Sequence, residues 1–300
     1  MALSYLHYDV FTDEPLRGNQ LAVFTDARGL ETGQMQKITC EMNFAESTFL
    51  LPCEQPGTDI RMRIFTPQNE MPMAGHPTIG STFALAQIGI ITPGARRFVF
   101  GLNIGPIPVD LEWTAGALSF AWMTQATPLF GKVVEDRTEV AGALGLREED
   151  LAAALPVQTV SCGVPFLLVP LCDRGAVDRA VLVPAGFSRL TEAYGLNLPI
   201  YLFTINGSSA AETAYSRMFA PGFGILEDPA TGAACGPLGC YLMQHGIVSG
   251  EAARRMVSLQ GVAMGRPSRI HMRIGGSSNA ITSVQVGGKA VLVGRGELLV

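Results

Sequence analysis

Three ionisable side chains lie in segments whose composition favours acid–base chemistry. Glu46 lies in a short predicted strand between two aromatic residues, Phe44 and Phe49. His76 follows glycine in a Gly-His-Pro sequence, and Asp228 precedes proline in Glu-Asp-Pro. A carboxyl group in apolar surroundings has a raised pKa, so it can exchange a proton with carbon near neutral pH. We therefore predict that Glu46 is a catalytic acid and base, with His76 and Asp228 as catalytic partners that stabilise charge on the substrate.

Each of these residues also has a purely structural interpretation. Glu46 could point from its strand into solvent, His76 could cap a helix, and Asp228 could form a turn before proline. The aromatic neighbours of Glu46 favour catalysis over solvation. His76 and Asp228 lie in two copies of a repeated motif, which favours a place for both in the active site. His76 could nevertheless bind the substrate without transferring a proton.

The segments around His76 and Asp228 are two versions of one motif. Residues 63–80 and 217–239 each contain Arg-x-Phe-x-Pro, then Glu-x-Pro-x-x-Gly, then an apolar run of helical length. This pattern predicts a strand, a tight loop and a buried helix, made twice. The glutamates of the motif, Glu70 and Glu227, are predicted to be structural, as partners of the helix dipoles or of the motif arginines.

The two predicted helix starts suggest how a substrate is bound. A helix start has free backbone N–H groups and a positive dipole end, which suit a carboxylate or phosphate. If the two halves pack face to face, both helix starts open into one cleft. We therefore predict a small carboxylated substrate bound by Gly75, Thr231, Gly232 and Ala233.

The elements predicted around this motif repeat in the same order in each half. Each half is predicted to be a mixed sheet wrapped around one apolar central helix, which is an α+β fold. The predicted domains are residues 1–127 and 128–300, with a last strand that could cross back to the first domain, and residues 125–137 are the predicted linker. Short helices are predicted at residues 139–146 and 148–155.

Composition excludes several classes of function. A chain of 300 residues with 48% hydrophobic content and a net charge of −5 suits two domains and argues against a nucleic-acid surface. The sequence has no signal peptide and no apolar run long enough to span a membrane, so a soluble, cytoplasmic protein is expected. Six dispersed cysteines, four unpaired histidines and the absence of a GxGxxG sequence predict neither a metal site nor an organic cofactor.

Five segments carry a resemblance to a known family. They are DVFTDEPLRGNQLAVF, NFAESTFLL, FTPQNEMPMAGHPTIG, EDPATGAACG and QGVAMGRPSRI, and together they span residues 9–270. They resemble the PhzF-like (phenazine biosynthesis protein PhzF) family, whose fold is similar to that of diaminopimelate epimerase. The resemblance implies a cofactor-independent isomerase, generally a homodimer, with its site between two similar domains.

The resemblance also implies roles for individual residues. In the member that names the family, a proton moves within the ring of trans-2,3-dihydro-3-hydroxyanthranilate. The family's proton-shuttling glutamate corresponds to Glu46, its Gly-His-Pro histidine to His76 and its loop acid to Asp228. Asn19, in the matching Gly-Asn pair, is predicted to bind the substrate.

This sequence departs from the family pattern at two positions. Ala233 replaces a common serine, which removes a hydroxyl group that would face the substrate and changes recognition. Gln20 replaces the usual proline after Gly-Asn. Neither change alters the predicted fold, but the identity of the substrate does not follow from the resemblance.

Two other functions are compatible with the sequence. A racemase or epimerase with two thiols at the helix starts would need cysteines at positions 74 and 231, where the chain has Ala74 and Thr231. Cys235 lies four residues farther on and is predicted to be a buried helix residue. A non-catalytic binder of small carboxylated metabolites is the other alternative, and the Ala233 replacement favours it.

Overall fold

The computed structural model describes residues 2–194, 199–205 and 211–300. The helices in this part of the chain are α1 (Thr32–Met42), α2 (Gly75–Gln87), α3 (Arg137–Ala143), α4 (Arg174–Arg179), α5 (Pro184–Tyr194) and α6 (Gly232–Gln244). The strands of the first half are β1 (Ala2–Val10), β2 (Asn19–Phe24), β3 (Glu46–Leu51), β4 (Ile60–Phe65), β5 (Glu70–Met71), β6 (Arg97–Leu102), β7 (Gly105–Thr114) and β8 (Ala117–Gln125). Those that follow are β9 (Leu129–Val133), β10 (Gln158–Ser161), β11 (Pro165–Pro170), β12 (Ile200–Ile205), β13 (Ala214–Ala220), β14 (Ile225–Asp228), β15 (Met256–Gln260), β16 (Ser268–Ser277), β17 (Ala280–Gly288) and β18 (Ala290–Leu299).

Two apolar helices, α2 and α6, form the centres of the fold. Residues 75–85 of α2 and residues 234–243 of α6 are all buried. A helix that is apolar on every side must be covered on every side, and the sheet does this: α2 packs against β1, β2 and β8, and α6 against β16 and β17. The predicted α+β fold, with a mixed sheet around a central helix in each half, is confirmed.

The strands form one continuous sheet in which the same pairing pattern occurs twice. Strands β1 to β8 pair as β1-β2-β3-β4-β6-β7-β8, with β5 beside β4. Strands β10 to β17 pair as β10-β11-β12-β13-β15-β16-β17, with β14 beside β13. The β2–β3 and β4–β6 pairs are parallel, and so are their counterparts β11–β12 and β13–β15.

Three further pairings join the two halves or extend them. Strand β8 pairs with β17, which makes the sheet continuous. Strand β18 adds to β1, and β9 adds to β10, so each half gains one strand at the equivalent edge. The division at residues 127 and 128 remains a proposal.

The outer face of each half is covered by peripheral helices. In the first half, Met35 and Ile38 of α1 pack on Phe24 and Phe49 of the sheet. In the second half, α3, α4 and α5 cover strands β11 to β13 with a separate apolar cluster that includes Val177. The site-bearing loops therefore emerge from a sheet that is packed on both faces.

Two local predictions are wrong. Residues 125–137 were predicted to be a linker, but residues 129–133 form β9, whose backbone pairs with β10. Residues 148–155 were predicted to be helical, but they contain only a single 3-10 turn, Glu148–Asp150, after which Leu151 is extended and bridges to Leu171. In residues 129–133, pairing with β10 forms a strand where the local sequence predicts no regular structure. In residues 148–155, the bridge from Leu151 to Leu171 replaces the helix that the local sequence favours.

Candidate active site

The starts of the two central helices touch each other through glycine. A methyl group on Gly75 would lie 2.6 Å from the backbone nitrogen of Ala233 and 2.7 Å from the Cα atom of Gly232. One on Gly232 would lie 3.2 Å from the Cα atom of Gly75. Only glycine permits this approach. Neither helix start is capped by a side chain, since the cap residues Ala74 and Thr231 make no side-chain cap hydrogen bond.

A cavity opens where the two helix starts meet. It encloses about 590 Å³, counting its open mouth. Most of its wall is apolar, and the polar side chains in it come from both halves. The lining residues that bear on function are Glu46, Met71, Met73, Gly75, His76, Phe166, Met218, Phe223, Asp228, Thr231, Gly232 and Ala233. The predicted cleft between two helix starts is therefore present in the fold.

Glu46 is the first residue of β3 and lies against His76 at the start of α2. Only 7% of Glu46 and 4% of His76 are exposed, and the Glu46 Oε2 atom lies 3.3 Å from His76 Nδ1. Burial, with a smaller effect of the Asp228 charge, raises the pKa of Glu46 well above its usual range. Burial also lowers the pKa of His76 to about 3. Because burial disfavours the charged form of each group, this is a close contact between neutral groups and not an ion pair.

Asn19 connects the catalytic candidates of the two halves. Its Nδ2 atom lies 3.1 Å from His76 Nδ1 and donates to Asp228 Oδ1 at 2.8 Å and to the Ala230 carbonyl at 3.1 Å. The side chain is 1% exposed, and protein groups use its amide hydrogens. These contacts hold the side chains of His76 and Asp228 in fixed positions relative to each other. The predicted contact of Asn19 with the substrate stays a prediction.

Asp228 ends β14 and is held by the loop that leads to α6. Thr231 Oγ1 donates to Asp228 Oδ2 at 2.6 Å. Burial raises the pKa of Asp228 to about 6, although the hydrogen bonds from Thr231 and Asn19 act in the opposite direction. Asp228 can therefore change its charge near neutral pH.

Gln260, at the end of β15, supports this loop and was not among the site residues predicted from the sequence. Its Nε2 atom donates to the Asp228 carbonyl at 2.7 Å and to Thr231 Oγ1 at 3.0 Å. Its Oε1 atom accepts from the Thr231 backbone N–H at 3.0 Å and from the Tyr201 hydroxyl at 3.2 Å. The available signal was an amide side chain at the end of the apolar strand MVSLQ, directly before Gly261.

The motif arginines and glutamates form the same pair in both halves. Arg63 donates to both carboxylate oxygens of Glu70 at 2.8 and 2.6 Å, and Arg217 donates to both of Glu227 at 2.8 Å. The prediction that these glutamates pair with the motif arginines is confirmed. Each bidentate pair ties the end of a central strand to the loop that carries a helix start.

The two-thiol arrangement has no counterpart at this site. Cys235 is buried, its sulfur lies 3.3 Å from the Tyr201 hydroxyl, and burial raises its pKa to about 12. The prediction of a buried helix residue is confirmed. Ala233 presents a methyl group to the cavity where a hydroxyl group was expected from the family pattern.

Metal-binding clusters and membrane-spanning helices are both absent from the described parts of the chain. There, no group of three or more His, Cys, Asp and Glu side chains is arranged to hold a metal ion. Of the helices described, none has the length and apolar character needed to cross a membrane.

Comparison with known proteins identifies the family. A family model described as phenazine biosynthesis-like protein matches residues 8–296. An isomerase of Mesorhizobium japonicum is 36% identical to this chain over 304 residues, and the match covers 99% of each protein. Trans-2,3-dihydro-3-hydroxyanthranilate isomerase of Pseudomonas fluorescens is 34% identical over 296 residues, again with 99% of each covered.

A solved structure agrees with these sequence matches. The PhzF-family phenazine biosynthesis protein of Bacillus anthracis has a TM-score of 0.87 and 26% identity to this chain, with 100% of both chains covered. The family match, the fold and the relatives above 30% identity extend over the same, nearly complete length. The chain therefore belongs to the phenazine biosynthesis-like (PhzF) family and is an isomerase.

Proposed function

We propose that the protein moves a proton between carbon atoms of a small carboxylated substrate, with Glu46 as acid and base and without a cofactor. One observation carries this proposal: the Glu46 carboxyl is buried in a largely apolar cavity, 3.3 Å from a neutral His76. A carboxyl with a raised pKa can hold and release a proton near neutral pH, which isomerisation at carbon requires.

The proton balance of the reaction needs only one shuttling group. As a carboxylate, Glu46 removes a proton from one carbon, becomes the carboxylic acid, and returns the proton to a second carbon. Starting from the acid, it performs the same two steps in reverse order. In either order Glu46 ends in the state in which it began, so no co-reactant is consumed.

His76 and Asp228 are proposed to stabilise the substrate while its charge shifts. A neutral His76 offers a hydrogen bond without a positive charge that would hold Glu46 as a permanent carboxylate. Asp228, with its pKa raised to about 6, can accept a hydrogen bond from a substrate hydroxyl or amine. The apolar wall, which includes Met71, Met218 and Phe166, keeps bulk water from exchanging with the transferred proton.

The substrate carboxylate is proposed to lie at the two helix starts. Gly75 and Gly232 begin helices that lack side-chain caps, and both line the cavity with Thr231 and Ala233. Free N–H groups and two positive dipole ends favour an anion there. This arrangement supplies binding energy without a cationic side chain.

The experiment is to follow turnover in deuterated water with wild type and Glu46→Gln. The first compound to test is trans-2,3-dihydro-3-hydroxyanthranilate, which is named in the Pseudomonas fluorescens relative. Cyclic and amino-acid-like carboxylates identified by thermal shift follow. We expect Glu46→Gln to abolish turnover and deuterium incorporation at carbon, while ligand affinity stays within about tenfold, or about 1.4 kcal/mol.

The matched control is Glu41→Gln, which changes an exposed glutamate of α1 in the same way and should leave turnover unchanged. A Glu46→Gln variant that kept most of the wild-type activity would remove Glu46 from the mechanism.

A non-catalytic binder is the second candidate, because Ala233 leaves the cavity without an expected hydroxyl group. A pure binder would bind a carboxylate ligand tightly and incorporate no deuterium with either wild type or Glu46→Gln. An epimerase would incorporate deuterium at a stereocentre without moving a double bond, which NMR of the product distinguishes.

The predicted homodimer and the cytoplasmic location stay predictions.

A further inference from the structure

The outer edge of β18 carries no strand partner within the described residues. Nine of its ten residues pair along one side with β1, and no strand of the described chain pairs with its other side. An unpaired edge of this length is a template for another strand. Leu299, near its end, is 85% exposed, so an apolar side chain also lies beside this edge.

Two side chains on one face of this strand have opposite charges, so this face is complementary in charge to the same face of a second copy. Arg295 and Glu297 are both exposed, and they lie opposite Leu6 and Ser4 of β1, so they share a face. In the described chain Arg295 has no ion-pair partner. Glu297 accepts a hydrogen bond from the Ser4 hydroxyl at 3.5 Å and forms no ion pair with any described residue.

The geometry of antiparallel pairing restricts how two copies of β18 could meet. Directly opposed residues point to the same face of the sheet, so a two-fold axis between two identical strands must pass through a residue and not between residues. With the axis at Gly296, Arg295 of each copy faces Glu297 of the other. With the axis at Arg295 or at Glu297, like charges oppose each other. Opposite charges on facing positions stabilise a pair of strands, and like charges destabilise it.

The remaining positions fit the same register. Gly294 of one copy faces Leu298 of the other, and Leu299 faces Val293, where a bulge in the pairing with β1 ends the regular edge. These pairs bring apolar groups or glycine together. The other free edge, β9, is half as long, and its pairing with β10 is irregular, so it is a poorer template.

We propose that β18 pairs antiparallel with β18 of a second copy of this chain, with the two-fold axis at Gly296. The sheets of two molecules then continue into each other. This inference gives the predicted homodimer a surface and a register. It does not depend on the isomerase chemistry, because assembly is measured without a substrate.

The test is sedimentation velocity of the full chain across a range of concentrations. We expect wild type to form a dimer. Both Arg295→Glu and Glu297→Arg should raise the dimer dissociation constant at least tenfold, because each places like charges opposite each other. Mixing the two variants in equal amounts should restore dimers, since each then faces the charge that it lacks. The double variant Arg295→Glu/Glu297→Arg should also dimerise.

Two controls keep the result interpretable. Lys132→Glu makes the same kind of charge reversal on the other free edge, β9, and should leave assembly unchanged. Circular dichroism and thermal unfolding verify that every variant is folded. The proposal is overturned if wild type is monomeric at all concentrations. It is equally overturned if Arg295→Glu dimerises as tightly as wild type, or if mixing the single variants restores nothing.

Discussion

Glu46 and Asp228 are two carboxyl groups of one cavity, and burial acts on both in the same direction. It raises the pKa of Glu46 well above its usual range and that of Asp228 to about 6. Two carboxylates that share a site disfavour each other's charge. At this scale, the proposed chemistry depends on desolvation by the neighbouring apolar side chains, since cationic side chains do not line the described cavity.

Asp228 makes the stability of the fold depend on pH. The direction of its pKa shift decides whether stability rises or falls as the pH increases. The pKa is 3.8 for the ordinary group and about 6 in the folded chain. Between about pH 4 and about pH 6 the folded state therefore holds a proton that the unfolded state releases, and stability falls as pH rises through this window. Each pKa unit corresponds to about 1.4 kcal/mol, so the ionised group costs up to about 3 kcal/mol at neutral pH.

We expect Asp228→Asn to remove this dependence, because the amide does not ionise. From urea unfolding at pH 4.5 and pH 7.5, the free energy of unfolding of the variant should improve relative to wild type by about 2–3 kcal/mol at the higher pH. Glu41→Gln, at an exposed site, is the control and should show no such change. Parallel pH profiles for wild type and Asp228→Asn would contradict the assigned pKa.

At the scale of elements, the site depends on two helix starts that meet without side chains between them. Gly75 and Gly232 do not have the positive φ angles that favour glycine. Glycine is needed at these positions because it has no side chain, which leaves room for the other helix. A Cβ atom on Gly75 would lie 2.6 and 2.7 Å from backbone atoms that cannot rotate away. Any side chain there must push the two halves apart.

We expect Gly75→Ala to lower the free energy of unfolding by about 1–3 kcal/mol, as overpacking of a close-packed interior does, and to reduce turnover by displacing α6 from α2. Gly33→Ala is the matched control: position 33 is in α1 with nothing near the added methyl group, so stability should rise by about 0.5–1 kcal/mol. Urea unfolding measures both. Equal effects at the two positions would contradict the close approach of the helices.

The loop between β14 and α6 is held by Gln260 from a third element, β15. Gln260→Ala leaves the Asp228 carbonyl and the Thr231 N–H without their partners. A buried group that loses its hydrogen bond costs about 1–3 kcal/mol, so the variant should unfold about 2–4 kcal/mol more easily. We also expect kcat to fall with little change in KM, because Asp228 is misplaced while the helix starts remain.

Urea unfolding and steady-state kinetics test this expectation. Gln158→Ala is the control, since Gln158 lies on β10, away from the cavity, and binds the Gly131 carbonyl. A Gln260→Ala variant with wild-type kcat would show that the loop needs no support from β15.

At the scale of the whole molecule, the site exists because two similar halves face each other. Glu46 and His76 come from the first half, and Asp228 and Thr231 from the second. The repeated pairing pattern places α2 and α6 in equivalent positions, so their starts meet near the junction of the halves. The same repetition leaves equivalent outer strands, β18 and β9, at the free edges, and only β18 has the length and charge order for pairing with itself.

Much of this arrangement was predictable from the sequence because it is encoded locally. The motif repeat, the two apolar helix runs and the aromatic neighbours of Glu46 need only periodicity and composition. The burial of Glu46 followed from those neighbours. Strand β9 was not predictable, since Leu129–Val133 acquires its conformation by pairing with β10, about thirty residues farther along the chain.

By itself, the sequence determined the fold class and the family, and it singled out three ionisable residues that the fold brings to one cavity, because short segments carry that information in their spacing. Only the tertiary structure decided that Asn19 binds both His76 and Asp228, that Gln260 supports the loop, and that Gly75 touches Gly232. Asn19 and Asp228 are 209 positions apart, and no local pattern specifies a hydrogen bond over that separation. Such contacts form only when both halves have packed and excluded the water that would otherwise bind those polar groups.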